Sequence, residues 1–224
     1  MAGAGPDTVA TFKIVPYYFF MARTADHEQR RRQVAHALLR SVGRRGLART
    51  TLADVADEAG VSVGLVQSYF RTKSQLLRFG VEYMYKQGEA RLLALAEGAG
   101  PASVRDWTLR ASETLLPLDD ERRLELTVWL EFLPVTMADP EMSRLHRTTT
   151  QQLLDAFAHA FGEGRRLGEL PPSLDARAEA AALVAFVDGL TLHHLVTGGD
   201  FAEDAIRTSL ATYVDRLFTA PESS

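Results

Sequence analysis

The stretch from Thr50 to Phe70 restricts the fold more than any other, because it holds two helix starts and a sharp stop in close succession. Thr51 is placed to cap a helix, with its hydroxyl accepting a free N–H of the first turn. Asp54, at the third helical position, suits the positive end of that helix. Leu52, Val55, Ala56 and Ala59 recur at helical spacing and give this short helix an apolar face. Gly60 ends it, since glycine reaches the positive φ that a tight turn between helices needs. Ser62 caps the next helix, which runs to about Phe70. Two short helices joined by Ala59-Gly60-Val61-Ser62 form a helix-turn-helix pattern.

The rest of the chain has the same periodicity. A first helix is predicted from about Asp26 to Arg45, with Val34, Ala37, Leu38, Ser41 and Val42 on one face. Arg30, Arg31, Arg32, Arg40 and Arg44 lie on the other. Ser74 is expected to cap a fourth helix over 74–97. Further helices are predicted over 102–116, 120–137, 140–163, 174–197 and 202–219, separated by glycine and proline breaks. Pro134 is expected to kink the sixth helix or end it early. The fold class is therefore all-α, with about nine helices: an N-terminal three-helix helix-turn-helix domain, then a larger helical body.

Met1 to Phe20 does not match the rest of the chain, and Met21 opens a polar, basic run into the first helix. Residues 1–20 read as an N-terminal extension, either disordered, an artefact of start-site choice, or an arm docked on the body. The chain divides near residue 73, into a helix-turn-helix domain over 21–73 and a larger helical body over 74–224.

Charge and composition bear on function in two ways. The formal net charge of −4 argues against nucleic acid on its face, but it is unevenly spread. Residues 21–76 carry ten basic and five acidic groups, whereas 77–224 carry 14 and 23. A basic head on an acidic body favours one orientation on a polyanion. The chain has no cysteine, which excludes disulfides, thiolate metal sites and cysteine nucleophiles and suits a cytoplasmic location. No uninterrupted apolar run approaches the roughly 18 residues of a bilayer span. His193 and His194 are adjacent, so a helix points them apart, and His146 and His159 have no carboxylate partner at ligand spacing. No phosphate-binding glycine loop or nucleophile elbow is present. No catalytic residue, metal or cofactor is expected, and the chain is not read as an enzyme.

Residues 31–77, most closely Thr50 to Leu77 (TTLADVADEAGVSVGLVQSYFRTKSQLL), resemble the DNA-binding domain of the TetR family of bacterial transcription repressors. The segment from about Trp129 to Phe218 resembles the C-terminal region of the family's BetI-like branch through Asp139-Pro140, Leu145-His146, Gly168-Glu169-Leu170 and Asp188-Gly189-Leu190. The resemblance implies that the third helix enters the major groove of operator DNA. Gln67 would read a base, since its amide can pair bidentately with adenine, while Val63 and Leu65 would meet thymine methyls. Gly64 would allow close backbone approach. Thr51, Ser62, Ser68, Tyr69, Arg71 and Lys73 complete the expected DNA-binding set. Many members carry Lys, Thr and Tyr where this chain has Val63, Leu65 and Gln67, and Ala53 replaces an arginine of some relatives. The operator sequence is therefore left open.

The resemblance also implies an effector pocket among the helices of the body. Tyr83, Trp107, Trp129, Phe132, Met137, Phe157, Phe161, Phe186 and His193 are the candidate lining residues, and Glu131 is a candidate partner for a cation. A homodimer would form through the last two helices, with Ala182, Phe186, Leu190, Ile206, Leu210, Tyr213 and Leu217 at the interface. The implied function is a ligand-responsive regulator, by default a repressor, that leaves its operator when a small molecule of unidentified type binds. Two alternatives stay open: an effector-independent DNA-binding regulator, and a helical small-molecule-binding protein or enzyme whose helix-turn-helix has lapsed.

Overall fold

The computed structural model describes residues 15–97 and 103–219, which are helical throughout and contain no strand. The elements are α1 (Val15–Arg45), α2 (Leu52–Ala59), α3 (Val63–Tyr69), α4 (Lys73–Glu97), α5 (Val104–Glu113), α6 (Asp120–Ala138), α7 (Pro140–Leu167), α8 (Ala176–Val196) and α9 (Glu203–Phe218). A 3-10 turn, Gly199–Phe201, precedes α9.

Several boundaries differ from the sequence expectation, each for a local reason. α1 starts at Val15 rather than Asp26. Pro16 sits in its first turn, where a missing N–H costs nothing. Of the extension expected over 1–20, residues 1–14 lie outside the described residues and 15–20 continue α1. The cap of α4 is Thr72 rather than Ser74: its Oγ1 accepts from Gln75 N at 3.1 Å, and Gln75 Oε1 accepts from Arg71 N at 2.9 Å. α6 runs through Pro134 to Ala138. The hydrogen bond lost to the proline falls on an exposed face near the helix end. α7 continues past Gly164 to Leu167, and the stop is Gly168, at φ +75°. Gly164 instead lets Leu170 and Val104 close onto α7, since a Cβ there would meet Leu170 Cδ1 at 2.9 Å.

The helices enclose two apolar cores. The first joins α1 (Val34, Leu38, Val42), α2 (Val55, Ala56), α3 (Val66) and Phe70 to Leu76 and Val81 of α4, Val128 and Phe132 of α6, and Met142 of α7. The second joins Ala111 of α5, Phe157 and Phe161 of α7, Leu183, Val187 and Leu190 of α8, and Ile206, Leu210 and Val214 of α9. Each large side chain so buried is worth about 1.5–3 kcal/mol. The helix-turn-helix thus shares its core with the start of α4 and the middle of α6. α8 is long and apolar enough by composition to cross a membrane, but one face is packed against α7 and α9 in the second core.

Candidate nucleic-acid interface and effector site

The α2–α3 pair is held by interactions close in sequence. Thr51 and Asp54 form a reciprocal capping box: Asp54 N donates to Thr51 Oγ1 at 3.2 Å, and Thr51 N donates to Asp54 Oδ2 at 2.9 Å. Those hydrogen bonds hold the Asp54 carboxyl below its ordinary value. Gly60 takes φ +64°, and the Val61 N–H returns to Ala56 O at 2.9 Å, which closes the turn. Ser62 Oγ accepts from Leu65 N at 3.2 Å and starts α3.

Part of the arginine face of α1 turns out to be structural. Glu58 of α2 accepts from Arg40 Nε at 2.6 Å and Arg44 Nη1 at 2.7 Å, and Asp54 pairs with Arg45 at 2.9 Å. Hydrogen bonds and charge from Arg40 and Arg44 keep Glu58 below the usual carboxylate range. Arg31 lies over the Phe79 ring, 4.4 Å from its centroid. Arg30 and Arg32 remain on the exposed side of α1.

With Val66 buried, α3 turns Val63, Gly64, Gln67 and Ser68 outward together with Ser62. Leu65 and Tyr69 are half-buried, so each offers only an edge to a ligand. Thr51, Arg71 and Lys73 flank this face and are exposed. The Lys73 ammonium donates to Leu47 O at 3.2 Å, an intramolecular tie beyond its expected place near a phosphate. The structure therefore leaves Ser62, Val63, Gly64, Gln67 and Ser68 exposed along α3, with Thr51, Arg71 and Lys73 exposed on its flanks.

The pocket candidates do not converge in the same way. Phe132, Phe157 and Phe161 are core, whereas Met137 is 83% exposed on the far end of α6. Trp107 packs edge-on against Phe157 and His193 stacks on Phe201. Phe186 stacks on Tyr213 at 4.7 Å, and the Tyr83 hydroxyl is bonded to His36 Nε2 at 2.6 Å. Glu131 accepts a backbone N–H from Leu47 at 3.2 Å and so already has a partner.

Only Trp129 belongs to the cluster that does form. The Tyr85 hydroxyl of α4 meets His146 Nδ1 of α7 at 2.7 Å, and the nearby Trp129 of α6 partly offsets the rise that burial imposes on it. Burial, with the negative charge of Asp188 of α8, pushes the Tyr85 hydroxyl up to about 12, so it stays protonated and donates. Burial lowers His146, which favours the neutral ring that can accept at Nδ1. Asp188 keeps solvent access, yet its crowded surroundings push its carboxyl up to about 6. No described cation pairs with it. Tyr85, His146 and Asp188 were absent from the pocket residues expected from sequence, although the resemblance motifs already contained Leu145-His146 and Asp188-Gly189. Two open surface concavities of about 350 and 380 Å³, around Arg31 and Phe79 and between Arg78 and Arg144, lie apart from this cluster.

The dimer candidates divide as well. Leu190, Ile206 and Leu210 point into the protomer's own second core, and Tyr213 and Leu217 are half-buried against it. Ala182 is exposed, in a stripe with Ala178, Ala181, Ala185, Leu192 and Val196 along α8.

A capped α2–α3 pair with an exposed second helix, carried on a larger helical body, is the architecture of a helix-turn-helix DNA-binding protein. The family model for bacterial regulatory proteins of the tetR family matches residues 35–78, and that for the BetI-type transcriptional repressor C-terminal region matches residues 104–219. The HTH-type transcriptional regulator BetI of Burkholderia thailandensis is 32% identical over 91% of this chain and 100% of its own. That of Stenotrophomonas maltophilia is 29% identical over 83% and 91%. A regulator from Rhodococcus sp. Rha1 superposes with a TM-score of 0.73 at 26% identity, over 85% of this chain and 99% of that one. A regulator from Saccharomonospora viridis, solved in complex with choline, has a TM-score of 0.80 at 23% identity over 87% and 100%. The chain belongs to the TetR family of bacterial transcription regulators, in its BetI-type branch. It is a DNA-binding, ligand-responsive regulator of the repressor type.

Proposed function

We propose that this regulator acts in the cytoplasm as a homodimer, without catalytic activity, and releases its operator on binding a small organic cation between α4, α6, α7 and α8. One observation carries the choice of effector: the Asp188 carboxylate, with no partner among the described cations, acts on Tyr85, which itself meets His146. Aromatic faces and a carboxylate that no described cation pairs with suit a quaternary or tertiary ammonium, through cation–π attraction and charge. The choline held by the Saccharomonospora relative agrees with this chemistry. Gln67, Val63 and the edge of Leu65 are the proposed base contacts, and Thr51, Ser62, Ser68, Tyr69, Arg71 and Lys73 the proposed backbone contacts. The second copy is proposed to cover the α8 stripe of Ala178, Ala181, Ala182 and Ala185, whose small side chains permit close helix approach.

Two copies place two recognition helices on successive major grooves, and the cation shifts the population toward a wrongly spaced pair. The test is calorimetric titration with choline and tetramethylammonium, alongside gel shifts on the gene's own upstream DNA. Saturable binding that Asp188→Asn weakens ~10-fold or more, with operator release, is the expected result. Intact operator binding with no response to either cation rejects the effector. Light scattering that returns a monomer rejects the dimer.

A further inference from the structure

We infer that Glu131 is a positioning residue that, together with Lys73, clamps the α1–α2 loop onto α6 and α4, so that the recognition helix and the ring cluster at Trp129 turn as one body. In its effector side this rests on the organic-cation reading above.

The clamp is centred on Leu47. Its N–H donates to Glu131 Oε2 at 3.2 Å, and its C=O accepts from Lys73 Nζ at 3.2 Å. A carboxylate from α6 and an ammonium from α4 thus hold the two polar groups of a single residue. Gly46, at φ +79°, turns the chain out of α1 and into reach of Glu131, and Thr50 Oγ1 ties back to Gly46 O at 2.9 Å. Nearby, α1 and α6 approach so closely that a Cβ on Gly43 would overlap Leu124.

The two cores explain why this matters. Val128 and Phe132 seat α6 in the same core as α1, α2 and α3, whereas Asp188 rides on α8 in the other core. The effector cluster therefore straddles the seam: Tyr85 and Trp129 pack on the first core, and Asp188 neighbours Val187 and Leu190 of the second. A cation drawn between them displaces α6 against α8. Apolar contact is non-directional and by itself does not fix the orientation of the α1–α2 loop on α6. Hydrogen bonds are directional, so the Glu131–Leu47–Lys73 clamp converts a displacement at Trp129 into a rotation of the helix-turn-helix. Trp129 and Glu131 lie two residues apart, about 3 Å along a stiff helix.

The absence of cysteine allows a direct test in the full-length protein. Spin labels on Ala48→Cys and Met137→Cys, both at exposed positions, report the angle between loop and α6. We expect a narrow distance distribution in the parent and in Glu131→Gln, which keeps the acceptor, and a distribution broadened ~2-fold or more in Glu131→Ala. Choline affinity should change less than ~2-fold in Glu131→Ala, while the ratio of operator affinities without and with choline falls ~5-fold or more. A narrow distribution and a full ratio in Glu131→Ala overturn the proposal. If choline fails to bind the parent, the cation reading falls and the label distances alone decide the clamp. Should Glu131→Ala not fold, amide exchange in the unsubstituted protein decides. Leu47 N–H exchanging with the slow amides of α6 supports the clamp, and exchange at an open-loop rate rejects it.

Discussion

Arg91 of α4 and Glu125 of α6 meet at 2.6 Å, and the pair is asymmetric: Glu125 is 5% exposed, while the Arg91 side chain is about one-third exposed. Removing either partner therefore does not cost the same. Arg91→Ala strands a buried carboxylate and should lower stability by about 3 kcal/mol. Glu125→Leu leaves a guanidinium that still reaches water and should cost less. The double variant Arg91→Met/Glu125→Leu should recover much of the loss, as read by urea denaturation. Equal losses from the two single changes would mean that the pair is solvated.

Gln67 should carry sequence discrimination. Gln67→Ala is expected to weaken operator binding by roughly 1–3 kcal/mol while binding to unrelated DNA persists. Gel shifts on operator and scrambled duplex separate the two, and equal loss on both contradicts base reading. Arg71→Ala, on the flank of α3, should weaken both duplexes alike and flatten the salt dependence.

Asp188 makes stability and cation affinity depend on pH in opposite senses. Its carboxyl rises from the ordinary 3.8 to about 6 in the folded protein. Between those values the native state holds the proton more often than the unfolded chain. The stabilising contribution is thus complete below about 4 and lost as pH rises through about 6. Asp188→Asn should therefore raise the Tm of the free protein at pH 8 more than at pH 5. Choline affinity should fall below about pH 6 in the parent, where the carboxylate is protonated, and stay flat in Asp188→Asn. A parent affinity independent of pH between 5 and 8 would remove Asp188 from the site.

Two glycines should respond differently to alanine. Gly60 has φ +64° and open space around a Cβ, so Gly60→Ala costs backbone strain alone, about 1–2 kcal/mol. At Gly43 the backbone is unstrained but Leu124 occupies the space, so Gly43→Ala should cost about 1–3 kcal/mol through overpacking. Pairing Gly43→Ala with Leu124→Ala should relieve part of that cost. Thermal melts of the three variants check this.

Local signals carried the helix-turn-helix, the family and the recognition face. Thr51, Gly60 and Ser62 act on backbone groups within a few residues, and burial of Val66 sets which neighbours face out. Helix interruptions were harder to read: Pro134 and Gly164 look like stops, yet packing and the remaining hydrogen bonds carry α6 and α7 through them. The body resisted reading for a related reason. Large aromatic residues on several helices are interchangeable in a linear pattern, so Phe157 and Phe161 look as available as Trp129, and only helix packing sends them to the core. Tyr85, Trp129, His146 and Asp188 come from four helices, and their convergence depends on crossing geometry that no spacing encodes. The same holds for Glu131, whose partner is a backbone N–H 84 positions earlier. Amino-acid order determined the DNA-reading unit, because caps and turns are short-range. Tertiary structure decided the proposed effector site and the proposed clamp, because both join groups far apart in sequence that meet only when the helices pack.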